Sequence, residues 1–404
     1  MAVAHTSTTT VAIPRAGYAA LVVAFIVLTV AFSFGLFSLP VFYTALVAKF
    51  GWNRAQAAGG GSIVLLLIGV LGPIIGRMTD RFSPRAVLLA GMSIVAVGLA
   101  LLSLTKDLTQ FYAFCVVLGI GSAAVSLVPT SMLIAPWFAG KRGLAVGVIN
   151  AGAGLGGFLA PNLTRKLIET GISEAFLGLA ACLTIPFLAT LILVRGEGPR
   201  TIARPTNAMS VGQVLHMPMF WIFGFALFFA AHTLTGIQQH LALYLTGHGV
   251  KPASAAFALS VLLGASAFGK VAGGWIADAY SAKASLLASI VCLVAGIGGL
   301  LMTDPASSLV YGCAAMFGLG YGGVFNAPPL IAFEFFGTKG VGTILGMYMM
   351  FFGLGTSSGG LVAGYLFDRT HSYTASFTWD IASCALGFLL LAAAGRSAQK
   401  RSEA

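Results

Sequence analysis

The two halves of this chain repeat each other. An offset of 198 to 199 residues places Gly51 on Gly249, Gly76 and Asp80 on Gly274 and Asp278, and Gly119 and Gly121 on Gly318 and Gly320. The register continues with Pro129 on Pro328, Gly147 on Gly346, and Gly154-Leu155-Gly156 on Gly353-Leu354-Gly355. Gly, Pro and Asp decide where membrane helices pack closely or break, so their coincidence marks a structural duplication and not shared hydrophobicity alone. Any fold for this chain has to set two like units beside each other.

With 58% hydrophobic and 8% charged residues in 404, the chain has too little polar surface to coat a soluble core of its size. Apolar windows of about 20 residues, enough to span a bilayer, recur between short charged breaks. Twelve are legible, at roughly 18–45, 56–76, 86–105, 108–133, 143–165, 173–194, 217–245, 253–278, 284–303, 307–333, 341–366 and 374–395. Six fall in each repeat, and an even number keeps both repeats in one orientation, related by an axis along the membrane normal. The expected architecture is an all-α integral membrane protein of twelve transmembrane helices. Its six-helix halves would be 1–195 and 217–404, joined by a cytoplasmic linker, 196–216, with no soluble domain.

The formal charge of +11 is spread over loops and not gathered into a nucleic-acid face. With both termini in the cytoplasm, the outer loops hold only Lys49, Arg54, Lys106, Arg165, Lys166, Lys251 and Arg369, and the remaining loop and tail bases lie inside. The positive-inside rule selects that orientation, a multi-pass protein of the cell (inner) membrane. The first seventeen residues lack a short apolar core with a cleavage site, so no removable signal peptide is expected. Cys115, Cys182, Cys292, Cys313 and Cys384 fall inside spans at unpatterned spacings and read as small buried hydrophobes.

Gly76 to Arg85 lies between the second and third spans on the inner side. It resembles the loop signature of the major facilitator superfamily, glycine, three residues, aspartate and then bases, with Ser83 and Pro84 as departures. Asp80 is placed to accept hydrogen bonds at a neighbouring helix end while Arg81 and Arg85 hold the cytoplasmic interface. Gly274 to Asp278, followed by Lys283, is the second copy of this gate. The stretch from Trp137 to Gly157 resembles more narrowly the fifth-helix signature of the monocarboxylate transporter family, bacterial porters included: an aromatic pair, a basic pair, Leu-Ala-x-Gly and a glycine ladder. Gly143, Gly147, Ala151 and Gly154 share one face, which lets a neighbouring helix approach almost to backbone contact. The resemblance implies the major facilitator fold, with two six-helix bundles related by pseudo-two-fold symmetry.

Lys270 alone among the 22 Lys and Arg residues falls well inside a span. Eight positions from Asp278, it lies about 12 Å from the inner boundary. Ser266, Gly273 and Gly274 share its face, small residues expected to leave room beside the ammonium. Asp278, Glu334 and Asp380 all read as lying near span ends, so no carboxylate is expected at comparable depth. An unpaired buried charge is costly, and the missing counter-ion is either the substrate or the loss of the proton. In the resemblance, Lys270 falls where monocarboxylate transporters carry an arginine that pairs with the substrate carboxylate, and Ser266 where several carry an aspartate tied to proton coupling. The eleventh span has no Lys or Arg, which disfavours a dicarboxylate.

His232, Gly236 and His240 form a stripe on the seventh span. Eight residues separate the histidines, about 12 Å, so they cannot share a metal. Lys270 is the expected proton carrier, since burial favours its neutral form and a bound anion its charged one, and His232, near mid-span, reads either as an interhelical hydrogen bond or as the alternative carrier. Asn150, Tyr321, Asn326 and Tyr348 could hydrogen-bond a small carboxylate, or serve as helix-to-helix contacts. Pro328-Pro329 is expected to break the tenth helix and free carbonyls. His, Cys, Asp and Glu never cluster with ligand spacing, and the glycine-rich runs lie within helices, so neither an enzyme nor a cofactor or metal protein is indicated. The expectation is a secondary transporter for a lactate- or pyruvate-like anion, with the proton and the bilayer as its other partners. The alternatives are an exchanger or facilitator for another organic anion, and a transport-inactive receptor of the same fold.

Overall fold

The computed structural model describes residues 13–194, 211–337 and 340–402, and every regular element among them is helical. Among the described residues ten helices are long and apolar enough to cross a membrane, and a bent pair makes an eleventh. The first half comprises α1 (Arg15–Tyr43), α2 (Gln56–Val70 with Gly72–Arg81), α3 (Pro84–Ser103), α4 (Leu108–Ile134), α5 (Arg142–Ile168) and α6 (Ile172–Leu193). The second comprises α7 (Pro218–Gly247), α8 (Pro252–Ala279), α9 (Ala282–Met302), α10 (Leu309–Phe336), α11 (Gly342–Thr370) and α12 (Tyr373–Ser402). The expected window at 307–333, which is not among those eleven, is filled by α10, an unbroken helix of 28 residues. Of the expected linker, 196–210 lies outside the described residues, and Val211–Leu215 is a short helix that leads into α7.

Local chemistry sets the breaks. α2 bends by 50° between its segments because Pro73 has no N–H for the carbonyl of Gly69 and its ring crowds that oxygen. Ser83 and Pro84, the departures from the loop signature, start α3: the Ser83 hydroxyl accepts from the Ala86 N–H at 3.1 Å and Pro84 occupies the first turn. Pro328 and Pro329 do not break α10, contrary to expectation. They remove only the donors for the Val324 and Phe325 carbonyls. Just before them the helix is clamped on both sides, Gly318 and Gly322 against the backbone of α8 and Gly320 against that of α9.

The two halves meet through α5 against α8 and α2 against α11. A Cβ built on Gly147 would fall 2.5 Å from the Lys270 carbonyl oxygen, and one on Gly72 would fall 2.6 Å from that of Gly346. Gly143 abuts Gly274 and Gly76 abuts Gly342 in the same way. At the repeat offset these are one contact used twice: Gly76 maps onto Gly274 and Gly143 onto Gly342, so each half supplies one helix to each seam. Farther from the α2–α3 turn the seam loosens, a Cβ on Gly69 lying 3.7 Å from the Gly353 Cα, ordinary van der Waals separation.

Candidate functional site

Helices leave their first N–H groups without intrahelical partners, and the dipole makes that end attractive to a carboxylate. Both seams end on such a pairing. Asp80 Oδ1 accepts from the Gly342 N–H at 2.8 Å, and its Oδ2 accepts from the N–H and hydroxyl of Thr343 at 2.9 and 3.0 Å, at the start of α11. Asp278 Oδ1 and Oδ2 accept from the N–H groups of Gly143 and Leu144 at 2.6 and 2.7 Å, at the start of α5. Each aspartate thus caps a helix of the opposite half. The arginines expected beside them act elsewhere. Arg85 donates to the Leu191 carbonyl at 3.0 Å, tying α3 to α6 within the first half, and Arg81 lies over the neighbouring Phe82 ring. Their long side chains reach partners on their own side of the seam, so neither bridges the halves.

Lys270 is 5% exposed, on the part of α8 that faces α5 and α10. Its Nζ donates to the Asn150 carbonyl at 3.3 Å and lies 5.1 Å from the centre of the Phe325 ring. Carbonyl and ring face both stabilise an ammonium, and among the described residues no carboxylate pairs with it. The expected source of space proves different. Gly273 and Gly274 bring α8 into contact with α10 and α5, and Ser266 donates to the Leu263 carbonyl of its own helix. Room beside Nζ comes from across the seam, where a Cβ on Gly154 would stand 3.5 Å from it.

Asn150 and Asn326 are drawn to the same place. Asn150 Nδ2 donates to Asn326 Oδ1 at 2.7 Å, and Asn326 Nδ2 donates to the Lys270 carbonyl. The Asn150 Oδ1 is buried without a partner. Tyr321, one turn before Phe325, stacks on that ring at 6.3 Å, and Phe352 of α11 meets its edge at 5.3 Å. The result is an ammonium between an amide pair and an aromatic wall, which suits a small anion with an apolar body. Tyr348 is not part of it. Fully buried, it packs on Phe220 and Phe336 within the second half, and its hydroxyl has no partner. Phe325 was missed in the sequence because a phenylalanine among so many carries no signal until a charge is seen beside it, and Gly154 was read there for helix packing alone.

His232 sits apart, on α7 against α11 and α12. Its Nδ1 lies 2.8 Å from Ser358 Oγ, and Trp379 Nε1 donates to its Nε2 at 3.1 Å. Asp380 corrects an expectation: instead of lying at a span end it is 1% exposed, seven residues into α12, with Oδ1 at 3.9 Å from His232 Nε2 and Oδ2 lacking a partner. Gly236 makes the burial possible, since a Cβ there would fall 2.7 Å from both carboxylate oxygens. The sequence signal was available in the spacing, as Asp380 follows Tyr373 by two turns. Among the described residues no three His, Cys, Asp or Glu side chains group as metal ligands do.

The model of the Major Facilitator Superfamily matches residues 23–360. Monocarboxylate transporter 13 of Bos taurus is 28% identical over 371 residues, covering 89% of this chain and 83% of that protein. The uncharacterized MFS-type transporter YcxA of Bacillus subtilis is 24% identical, over 84% and 85% of the two chains. Among solved structures, the human organic anion transporter MFSD10 (TETRAN) superposes with a TM-score of 0.73 at 17% identity, over 93% of this chain and 99% of that one. The E. coli fucose:proton symporter FucP gives 0.70 at 14% identity, over 93% and 97%. These two share the fold. With the family model matched over most of its length, the chain belongs to the Major Facilitator Superfamily of membrane transporters.

Proposed function

We propose that this chain is a secondary active transporter that carries a small organic monocarboxylate, lactate- or pyruvate-like, by alternating access together with a proton. The observation that carries this reading is the Lys270 ammonium, buried between the Asn150 carbonyl and the Phe325 ring with no carboxylate among the described residues to neutralise it. A substrate carboxylate completes that pairing, Asn150, Asn326 and Tyr321 are within the same wall to orient it, and the aromatic rings accept its apolar part. One buried Lys or Arg among the described residues, and none within 341–366 of α11, match one carboxylate. The names of the relatives, a monocarboxylate transporter and an organic anion transporter, agree with this in kind.

Asp80 and Asp278 supply the gate. Each holds a helix of the opposite half, so the halves separate at the α2–α3 end, the cytoplasmic end by charge distribution, only when both pairings break. The coupling proton is assigned to His232, whose Nδ1 lies 2.8 Å from Ser358 Oγ and whose Nε2 lies 3.9 Å from the buried Asp380 carboxyl. Binding of proton and anion then assist each other reciprocally, as linkage requires.

The test is uptake of labelled lactate and pyruvate into proteoliposomes, with and without an inward proton gradient, alongside Lys270→Gln. Accumulation driven by the gradient and lost in the variant supports the reading. Uptake that persists unchanged in Lys270→Gln overturns the assignment of the anion site, and exchange that ignores the gradient replaces symport with exchange.

A further inference from the structure

We infer that His232 and Asp380 hold the coupling proton as one unit, and that α11 senses its position through Ser358; this rests on the proton-coupled reading above. The hydrogen-bond directions leave little freedom. An indole N–H only donates, so Trp379 makes His232 Nε2 an acceptor and leaves the ring proton on Nδ1. Nδ1–H then donates to Ser358 Oγ, whose own hydrogen goes to the Gly355 carbonyl at 2.8 Å. The imidazole is therefore neutral in this arrangement. Asp380, with an unpartnered Oδ2 and no donor to either oxygen at hydrogen-bond distance, is set in an interior that suits a protonated carboxyl far better than an anion.

The proton has a short path between two residences. If Nε2 leaves Trp379 and turns toward Asp380 Oδ1, 3.9 Å away, the carboxyl O–H transfers its proton to Nε2 and leaves an imidazolium beside a carboxylate. The same rotation draws Nδ1 away from Ser358. That bond belongs to a tight contact: Gly355 and Gly359 of α11 lie against the carbonyls of Phe228 and His232, and Thr235 donates to the Thr356 carbonyl at 2.7 Å. At its other end α11 is the helix capped by Asp80. The proton unit is thus built onto the helix that the gate holds, while Lys270 sits on α8 among α5 and α10.

Other titratable groups near the unit have their own partners. On α7, His240 pairs with the Tyr373 hydroxyl at 3.2 Å and the Gly360 carbonyl at 3.0 Å. On α12, Cys384 donates to Thr233 Oγ1 at 3.4 Å. α11 presents Ser358 at this level, and α9, which also packs on α12, carries only Cys292 and, at its start, Lys283. From α8 and α10, packed on other faces of α7, Lys270 and Asp278 face α5, Tyr321 stacks on Phe325, and Glu334 accepts from the Ala282 N–H.

Three measurements on the reconstituted protein test the unit. Infrared spectra are expected to show the C=O stretch of a buried protonated carboxyl that disappears in Asp380→Asn and shifts in His232→Gln; identical carboxyl regions in wild type and Asp380→Asn would overturn the inference. This arm needs no substrate, so it decides the unit even where wild type accumulates neither lactate nor pyruvate and the symport reading itself fails. In proteoliposomes, Asp380→Asn is expected to lose gradient-driven lactate accumulation and keep lactate counterflow, whereas Lys270→Gln loses both. Retained counterflow excludes misfolding as the cause, and accumulation at the wild-type level in Asp380→Asn refutes the unit while leaving symport intact. Trp379→Phe keeps a ring in place and frees Nε2, so the pH profile of uptake is expected to move toward higher pH; an unmoved profile counts against His232 as the acceptor.

Discussion

The Asp278 carboxylate holds the Gly143 N–H at 2.6 Å from the opposite half of the molecule. Asp80 holds Gly342 in the same way at 2.8 Å, and the pairs are mates in the internal repeat. Because Gly143 also abuts Gly274 and Gly342 abuts Gly76, each aspartate lies one turn beyond a backbone-to-backbone contact. Glycine brings the helix start close enough, and the carboxylate then fixes it. Neither element works alone: a side chain at Gly143 would collide with Asp278 as well as with Gly274.

Asp278→Asn retains the shape of the cap but replaces one acceptor oxygen with a donor facing an N–H. The loss is that of a helix cap, about 1 kcal/mol, or roughly fivefold in the equilibrium between closed and open forms. Asp80→Asn should act alike, and the two, capping different helices and sharing no partner, should add. Spin labels at Arg81→Cys and Tyr280→Cys, exposed positions on opposite halves, would report a growing long-distance population in each variant and more in the double. Unchanged distances would remove both aspartates from the gate.

Gly72→Val places a branched Cβ against the Gly346 carbonyl, which cannot yield without moving α11. Each half should fold, and the seam should fail to close. The expected outcome is a protein of near-normal thermal stability with no lactate counterflow and with a cysteine introduced on α2 reactive from the α2–α3 side. Gly264→Ala, at a glycine of the same class of helix with nothing within 4 Å, should transport normally.

The seam was the most legible feature of the sequence, since a repeat in Gly and Asp reports backbone approach directly. Which helix each glycine meets was not, because the register relates a residue to its mate in the other half and not to its contact. The Lys270 site was half legible. A lone base deep in a span is visible from hydropathy, and Asn150 and Asn326 are rare polar residues there. Tyr348 carried the same signal and lies in a core, because only the helix rotation separates those cases and apolar residues on all sides leave that rotation undetermined. Asp380 was misjudged by counting distance from a span end, when Gly236 on a different helix decides whether the carboxylate can be buried.

Asn326→Leu removes the acceptor of Asn150 and the donor to the Lys270 carbonyl together. It leaves the Asn150 amide, whose Oδ1 already lacks a partner, wholly unsatisfied. A stranded buried polar group costs about 1–3 kcal/mol, so the Tm should fall. Removing both amides, Asn150→Ala with Asn326→Leu, should cost less than the sum of the two single changes, since the second deletion strands nothing new. Additive Tm losses in that cycle would mean that the amides act separately.

Charge alone, or the shape of the lysine, sets recognition at Lys270, and two substitutions tell these apart. Lys270→Arg keeps a positive group and presents a flat fork that can stack on Phe325 and bind a carboxylate through two N–H groups. The space for it exists only because Gly154 faces the ammonium, where a Cβ would stand 3.5 Å from Nζ. Lys270→Arg should therefore retain saturable lactate or pyruvate uptake. Gly154→Val should crowd Nζ and the bound carboxylate, raising KM about tenfold, equivalent to about 1.4 kcal/mol of binding, with a smaller effect on kcat. Initial rates over a range of anion concentrations separate the two parameters. If Gly154→Val left KM unchanged while Lys270→Gln abolished uptake, the anion would have to approach the ammonium from the Phe325 side and not across the seam.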